Sequence, residues 1–188
     1  AVAECHVPFP PLRASVATAA VATAGAGRGA DDAGRTAVAL AAHAAADRLV
    51  GVILVRLGGY AVGAFDGERL MISKTGSRPV HGRSSAGGWS QRRFARRRDN
   101  QARVAVSAAA DTAALLLGPY ERRLDAVVLG GDRRAIAALR DDPRLAPLFA
   151  LAVDRFLSVP DPGSAVLREA PRHFRAVRIR LLNPDGPR

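Results

Sequence analysis

The sequence predicts a mixed α/β sheet with flanking helices, and three observations predict it. Three apolar runs follow one another between residues 49 and 75, separated by Gly58-Gly59 and Asp66-Gly67. Runs of this kind broken at glycine turns read as consecutive antiparallel strands, and Asp-Gly is a strong hairpin signal. From Trp89 to Leu117 no Gly or Pro occurs, which suits one long helix stopped at Gly118-Pro119. Beyond it, short apolar runs alternate with helical stretches. An antiparallel opening followed by strand–helix alternation is the pattern of a mixed sheet covered by helices.

The elements follow in order. Residues 1–47 form an Ala/Pro/Gly-rich N-terminal segment: an extended entry at Val7-Pro8-Phe9-Pro10-Pro11, a glycine-rich loop at Gly25–Gly29, and a helix over Arg35–Arg48 with Asp31 or Asp32 as its cap. No strong strand precedes Gly25–Gly29, so a phosphate-binding loop is not expected there. Residues 48–188 form the main domain. Its strands run over Leu49–Leu57, Tyr60–Phe65 and Glu68–Thr75, and a Gly/Ser-rich loop covers Gly76–Gly88. On the long helix, Phe94, Gln101, Ala105, Ala108, Thr112 and Leu115 recur at helical spacing and mark the packed face. A buried strand at Asp125–Leu129 leads through Gly130-Gly131 to a helix capped by Asp132. A helix at Leu145–Val153, a strand at Phe156–Val159, a short helix entered at Asp161-Pro162 and a last strand at Phe174–Leu182 complete the chain. Asp141-Asp142 before Pro143 reads as a cap and turn.

Composition excludes several classes of protein. The 188 residues are enough for one domain with its own core. No apolar run reaches the roughly 18 residues that span a bilayer, so no membrane segment is expected. The first residues lack the basic and apolar regions of a secretory signal, and the chain starts with Ala rather than Met, which admits trimming at that end. Cys5 is the single cysteine, excluding an internal disulfide and any multi-cysteine metal site. His6, His43, His81 and His173 are scattered without ligand spacing, so neither metal nor cofactor is expected. A reducing cytoplasm is the simplest location.

Charge is the informative quantity. Lys+Arg number 28 against 17 Asp+Glu, a formal net charge of +11, and Lys74 is the single lysine. A GC-rich genome accounts for much Arg and Ala, but not for where the arginines lie. Between His81 and Arg103 stand seven of them (Arg83, Arg92, Arg93, Arg96, Arg97, Arg98, Arg103) against one acid, Asp99. A second concentration runs from Arg168 to Arg188. A solvated helix face normally intersperses both signs, so this one reads as a polyphosphate-binding surface. Neutralising six or seven phosphates gives a log–log salt slope of about −4 to −6. Aromatic interleaving is limited to Trp89 and Phe94, which fits structured RNA gripped by its backbone better than stacked single strands. Lys74 and Arg78, at the exit of the third strand, would support the loop or touch the same RNA.

The segment Gly87-Gly88-Trp89-Ser90-Gln91-Arg92-Arg93-Phe94-Ala95-Arg96-Arg97-Arg98 carries the chemistry. Paired glycines let a backbone approach a crowded ligand, and a helix starting behind them offers free N–H groups to an anion. Gln91 has no ionisable proton, so its part is to orient a water or a leaving oxygen.

This segment resembles the tip of the middle domain of eukaryotic and archaeal class I peptide-release factors, where Gly-Gly-Gln is followed by Ser and an Arg-Phe-x-Arg-x-Arg run. Gly87-Gly88, Ser90 and Arg93-Phe94-x-Arg96-x-Arg98 match that frame; Trp89 stands in place of the glutamine, and Gln91 follows two residues later. The resulting Gly88-x-x-Gln91 resembles the branch of release-factor-like proteins acting in ribosome quality control, whose actinobacterial members are described as peptidyl-tRNA hydrolases. Gly58-Gly59-Tyr60, Ser73-Lys74-Thr75-Gly76-Ser77-Arg78, Gly130-Gly131-Asp132 and Val159-Pro160-Asp161-Pro162 resemble the same family, so the likeness covers about residues 48–182. It implies a ribonuclease-H-like fold and a catalytic domain over 48–188. It also implies a cytoplasmic, ribosome-associated monomer whose partners are large-subunit RNA and peptidyl-tRNA. Gln91 would position water at the peptidyl ester, Gly87 and Gly88 would permit approach, Ser90 would steady the turn, and Trp89 and the arginines would contact RNA.

Three other readings remain open. The same basic tip would also serve a non-catalytic ribosome-docking module, although Gln91 argues against that reading. A tRNA 3′-end endonuclease would use the same placement on a different bond. Gly88-Trp89-Ser90-Gln91-Arg92 comes within one residue of the serine-hydrolase Gly-x-Ser-x-Gly, but a strand must enter that turn directly, and His173 and Asp125 would have to be recruited as partners.

Overall fold

The structure, a computed structural model, describes residues 2–12, 28–56, 59–77 and 89–182, with the backbone alone at 2–3, 28–33, 89–101 and 182. Its elements are β1 (Val2–His6), α1 (Arg28–Ala45), β2 (Leu49–Arg56), β3 (Gly59–Asp66), β4 (Arg69–Ser77) and α2 (Trp89–Leu117). There follow β5 (Ala126–Gly131), α3 (Arg133–Arg140), α4 (Ala146–Ala150), β6 (Ala152–Leu157), α5 (Ser164–Phe174) and β7 (Arg178–Leu182). The chain divides into two units: Ala1–Ala46 with Phe174–Arg188, and Asp47–His173.

In the larger unit Val50, Val52, Ile53, Leu54 and Val55 of β2 are all buried, at 1% exposure or less. A strand apolar on both faces needs cover on both, and β2 is also paired along both edges. It lies antiparallel to β3, from Leu49↔Asp66 to Arg56↔Gly59, and parallel to β5. The five-stranded sheet has the order β4-β3-β2-β5-β6, with β4 antiparallel to β3 and β6 parallel to β5. Numbered from its own first strand this is 3-2-1-4-5, a mixed sheet of the ribonuclease-H-like kind, as the sequence leads one to expect. The hairpin at Asp66-Gly67 is present, with Gly67 at φ 61°.

One face of the sheet (Ile53, Val55, Val62, Ala64, Val127, Leu129) packs against Ala109, Ala110, Ala113 and Leu117 of α2, with Ile136 and Leu139 of α3 and Leu148 of α4. Toward the other face, Gly63 leaves room for Leu167 of α5, whose Cδ2 lies 3.1 Å from where a Cβ would stand. Buried Arg155 of β6 reaches the end of α5, where its Nη1 donates to the His173 carbonyl at 2.9 Å.

Several expected details are corrected. The packed face of α2 is rotated toward Ala109, Ala110, Ala113 and Leu117: Thr112 is buried as expected, but Leu115 is 70% exposed. In a run of alanines hydropathy carries little contrast, so the periodicity is read poorly. The helix α1 begins at Arg28, not Arg35, and takes in Gly29, Asp31 and Asp32, so neither acid stands before its first turn. Gly25–Gly27 lie outside the described residues. The last helix starts at Ser164 with Gly163 accepting the Leu167 N–H, so Asp161-Pro162 does not open it. Phe174 ends that helix, because Leu167, Ala170 and Phe174 recur at helical spacing, and all three are buried. The last strand is accordingly β7 at Arg178–Leu182, outside the five-stranded sheet, while β6 lies earlier than expected, at Ala152–Leu157.

In the other unit β1 and β7 pair antiparallel, from Val2↔Leu182 to His6↔Arg178. Buried His43 donates from Nε2 to the Phe9 carbonyl at 2.8 Å, and the Phe9 and Phe174 rings meet edge to face at 6.0 Å. The Arg175 guanidinium donates to the carbonyl of Ala45, the last residue of α1, at 2.7 Å. No described helix is long and apolar enough to cross a membrane.

Phe65 is wholly buried in β3. Phe65→Ala is expected to cost about 3–5 kcal/mol of unfolding free energy, read as a lowered urea midpoint with an unchanged slope.

Candidate functional site

The ends of the sheet locate the basic helix. Arg56 closes β2 opposite Gly59, and Gly59 pairs with Ser77, the last residue of β4. The strand β4 therefore leaves the sheet at the end where β2 finishes. Leu117, at the end of α2, packs on Gly51 near the start of β2, 3.3 Å from where a Cβ would stand. Thr112 instead reaches Tyr60, near the finish of β2: Thr112 Oγ1 donates to the Tyr60 hydroxyl at 3.0 Å. Traced toward its N-terminus, then, α2 climbs toward the exit of β4 and passes it. Trp89 stands 23 residues before Thr112, or about 34 Å along the axis at 1.5 Å per residue.

That extension carries Arg92, Arg93, Arg96, Arg97, Arg98 and Arg103, and its first turn holds no acid. The helix dipole is positive at this end, so arginines there oppose the fold's own electrostatics and gain from an external anion. Trp89, Ser90 and Gln91 occupy the first turn of the helix, with Arg92 to Arg98 on the turns behind. Arg103 and Lys74 are exposed, the first on α2 and the second on β4, three residues before Ser77. Arg78, Arg83, Gly87 and Gly88 lie outside the described residues.

Many arginines elsewhere are engaged by the protein itself. Arg56 donates from Nη1 to the Val159 carbonyl at 2.7 Å and lies 3.6 Å from Asp161. Arg133 stacks on Phe156 at 4.4 Å and Arg140 on Phe149 at 5.0 Å. Arg144 binds Asp142 at 2.6 Å and Asp111 of α2 at 2.8 Å. Arg69 pairs with Asp66, and Arg172 with Glu169. The net charge therefore overstates how evenly free cations are spread, and the second concentration near the C-terminus includes two that are spent locally, on Glu169 and on Ala45.

The acidic motifs have structural duties. Asp132 caps α3, accepting from Arg134 N at 2.7 Å and Ala135 N at 3.2 Å, as expected. Gly131 before it has φ +98°, and a side chain there would collide with the Val55 carbonyl, so the paired glycines serve the strand-to-helix turn. Asp142 caps the 3-10 turn at Pro143–Leu145, and Arg144 holds its carboxyl below the ordinary value of 3.8 by side-chain and backbone hydrogen bonds. Asp161, placed by the sequence at a helix entry, instead turns its carboxylate to Arg56. Among the described residues no group of His, Cys, Asp and Glu could hold a metal ion.

The serine-hydrolase arrangement does not assemble. Ser90 is the second residue of α2, inside the helix rather than at a strand-to-helix turn. Asp125 accepts from Leu49 N at 2.8 Å at the opposite end of the sheet. Sequence reasoning overlooked Arg56 and the Tyr60–Thr112 pair. Arg56 was visible only as a charge interrupting an apolar run, and Tyr60 only as part of a glycine-bearing motif with no assigned role.

Comparison with known proteins finds two solved structures similar to part of this chain. A crystal structure of the archaeal translation termination factor aRF1 is similar with a TM-score of 0.47 at 21% identity, covering 65% of this chain and 33% of that one. A second structure, described as an archaeal protein, gives 0.44 at 20% identity, covering 68% and 36%. This chain thus spans about a third of the length of these structures. No curated protein matches it. The chain belongs to the Actinobacteria/chloroflexi VLRF1 release factor family, whose model matches residues 48–180. Membership in a release-factor family gives it a translation-related role.

Two outcomes check these assignments. Asp132→Ala is expected to cost about 1 kcal/mol of stability through the lost cap, read by denaturant titration. Because the Asp142 carboxyl titrates below its ordinary value, its contribution is present above that value and is lost as pH falls through the lowered one. Asp142→Asn should therefore lower the melting temperature at neutral pH, and the gap to wild type should close only in strong acid.

Proposed function

We propose that the protein hydrolyses the ester of peptidyl-tRNA on stalled or split large ribosomal subunits, releasing the nascent peptide. Gln91 would position the attacking water, with Gly87 and Gly88 permitting approach to the crowded tRNA end and Ser90 steadying the turn. Arg83, Arg92, Arg93, Arg96, Arg97, Arg98 and Arg103, with Trp89, Lys74 and Arg78, would hold ribosomal or tRNA phosphates. The protein would act as a cytoplasmic monomer, its partners being large-subunit RNA and peptidyl-tRNA.

The observation that carries this reading is the course of α2. Its glutamine-bearing first turn lies about 34 Å beyond the bond that ties the helix to the sheet, with arginines on the turns between. A glutamine side chain has no titrating proton and cannot itself act as a general base. It suits a site that another molecule completes, as the RNA of a peptidyl-transferase centre would. Orientation of a bound water needs hydrogen bonds and placement rather than a titrating group. Family membership supports the ribosome as the destination.

The test is release of labelled peptide from purified large subunits carrying peptidyl-tRNA. Gln91→Ala is expected to bind subunits normally and to lose roughly a hundredfold or more of the release rate, the range of one well-placed catalytic group. The Arg96/Arg97 double alanine variant should bind more weakly, with a salt slope shallower by about 2. Subunit binding without release by the wild type would leave the docking-module reading, and release by Gln91→Ala at the wild-type rate would take the catalytic role from Gln91. A tRNA product shortened at its 3′ end would replace ester hydrolysis by phosphodiester cleavage.

A further inference from the structure

Tyr60 occupies a junction that the proposed function leaves without a role. It is the second residue of β3, opposite Val55 of β2 on one side and Gly76 of β4 on the other. Its ring lies against the Gly76 backbone: a Cβ on Gly76 would stand 2.5 Å from Cε1, 2.7 Å from Cζ and 2.9 Å from the hydroxyl. Gly59 is held from the neighbouring register position, where a Cβ would stand 2.5 Å from the Gly76 carbonyl oxygen. An aromatic ring over a cross-strand glycine covers the edge backbone that a side chain would otherwise cover. Beyond the ring, the hydroxyl accepts from Thr112 Oγ1 at 3.0 Å, and the two residues are only 8% and 5% exposed. One side chain thus ties the last residues of β4 to α2, the strand before and the helix after residues 78–88.

The pair is not needed to fill space, since phenylalanine and valine would fill it without burying two hydroxyls. A buried hydroxyl pair adds direction rather than volume, being favourable only while donor and acceptor stay aligned. Direction is what the neighbouring contacts lack. The face of α2 against the sheet at this level is Ala109, Ala110 and Ala113. Methyl groups interdigitate shallowly, so such a face resists rotation and sliding less than one of Leu or Phe. A second directional tie, Asp111 to Arg144 at 2.8 Å, holds the preceding residue of the helix, with exposed partners. Leverage makes the anchor matter. With about 34 Å of helix beyond Thr112, a tilt of roughly 10° moves Trp89 by about 6 Å. Reactive geometry tolerates errors nearer 1 Å, so the anchor's precision bears on anything done at the tip.

We infer that Tyr60, held between Gly76 and Thr112, is the positioning residue that sets the direction in which α2 carries Trp89–Arg103 away from the sheet. Its effect on peptide release rests on the proposed hydrolase activity, whereas the direction itself is measurable on the free protein.

The experiment places spin labels at Ala95→Cys and Ser158→Cys in the full chain carrying Cys5→Ser, and measures the distance distribution by double electron–electron resonance. Tyr60→Phe and Thr112→Val, each removing one hydroxyl, are expected to shift or broaden it by about 2 Å or more, and the double variant by no more than either alone, because they remove one bond. Thr112→Ser, which keeps the hydroxyl, should retain the wild-type distribution. That contrast also keeps the inference testable if Tyr60→Phe fails to fold. In the release assay both single variants should lose about tenfold in kcat with subunit affinity unchanged, a split that simple loss of stability would not produce. Distributions for folded Tyr60→Phe and Thr112→Val that superimpose on wild type would overturn the inference. Altered distances in a protein whose wild type releases no peptide would uphold it and discard the hydrolase reading instead.

Discussion

The larger unit depends on the double burial of β2. A strand hydrogen-bonded along both edges and apolar on both faces has no exposed position until its last residue, Arg56. Everything polar is thereby pushed to the rims of the sheet. Asp125 and Leu49 meet at one rim; at the other stand Arg56, Asp132 and Asp161, along with the exit of β4. Burying a charge inside this layer would cost several kcal/mol per ion. A surface for the proposed RNA partner would therefore have to be built outside it, and a helix longer than the strands is a direct way to do so. The helix α2 has 29 residues, about 43 Å, against eight-residue strands of about 26 Å.

Arginine serves two ends in this chain. Over the sheet rims and the short helices it is a structural residue: its planar fork grips carbonyls and carboxylates, and its face stacks on Phe156 and Phe149. Along the first half of α2 it stands in a run with Asp99 as the one acid between Trp89 and Ala110. The contrast lies in arrangement rather than composition, and it concentrates the expected RNA affinity on one element. Such a division keeps binding separable from folding, since charge can be lost from α2 without unpinning the sheet.

Much of this was legible in the sequence where local chemistry is decisive. Both ends of α2 follow from the glycines and prolines that bound it, the strand trio from Gly58-Gly59 and Asp66-Gly67, and the start of α3 from Asp132. The packed face of α2 was not, because alanine looks alike on both sides; Leu115 points out although its hydropathy places it in. Phe174 reads as the opening of a strand when only its downstream neighbours are considered, and as a helix terminus once Leu167 and Ala170 are counted with it. In the site, the Gly-x-x-Gln and arginine run is a contiguous signal. The Tyr60–Thr112 tie joins residues 52 apart and leaves no local mark.

The pairing of β1 with β7 has a consequence for the order of events during synthesis. The first cross-strand partners, His6 and Arg178, are 172 residues apart. At roughly 5–20 residues per second, the ribosome completes β7 roughly 9–35 s after β1. Throughout that wait β1 has an unmatched hydrogen-bonding edge, while all the strands of the five-stranded sheet are made and free to pair. The two-stranded ribbon is thus the last of the described pieces that translation completes. Until its second strand arrives, the first depends on the speed of the machine making it.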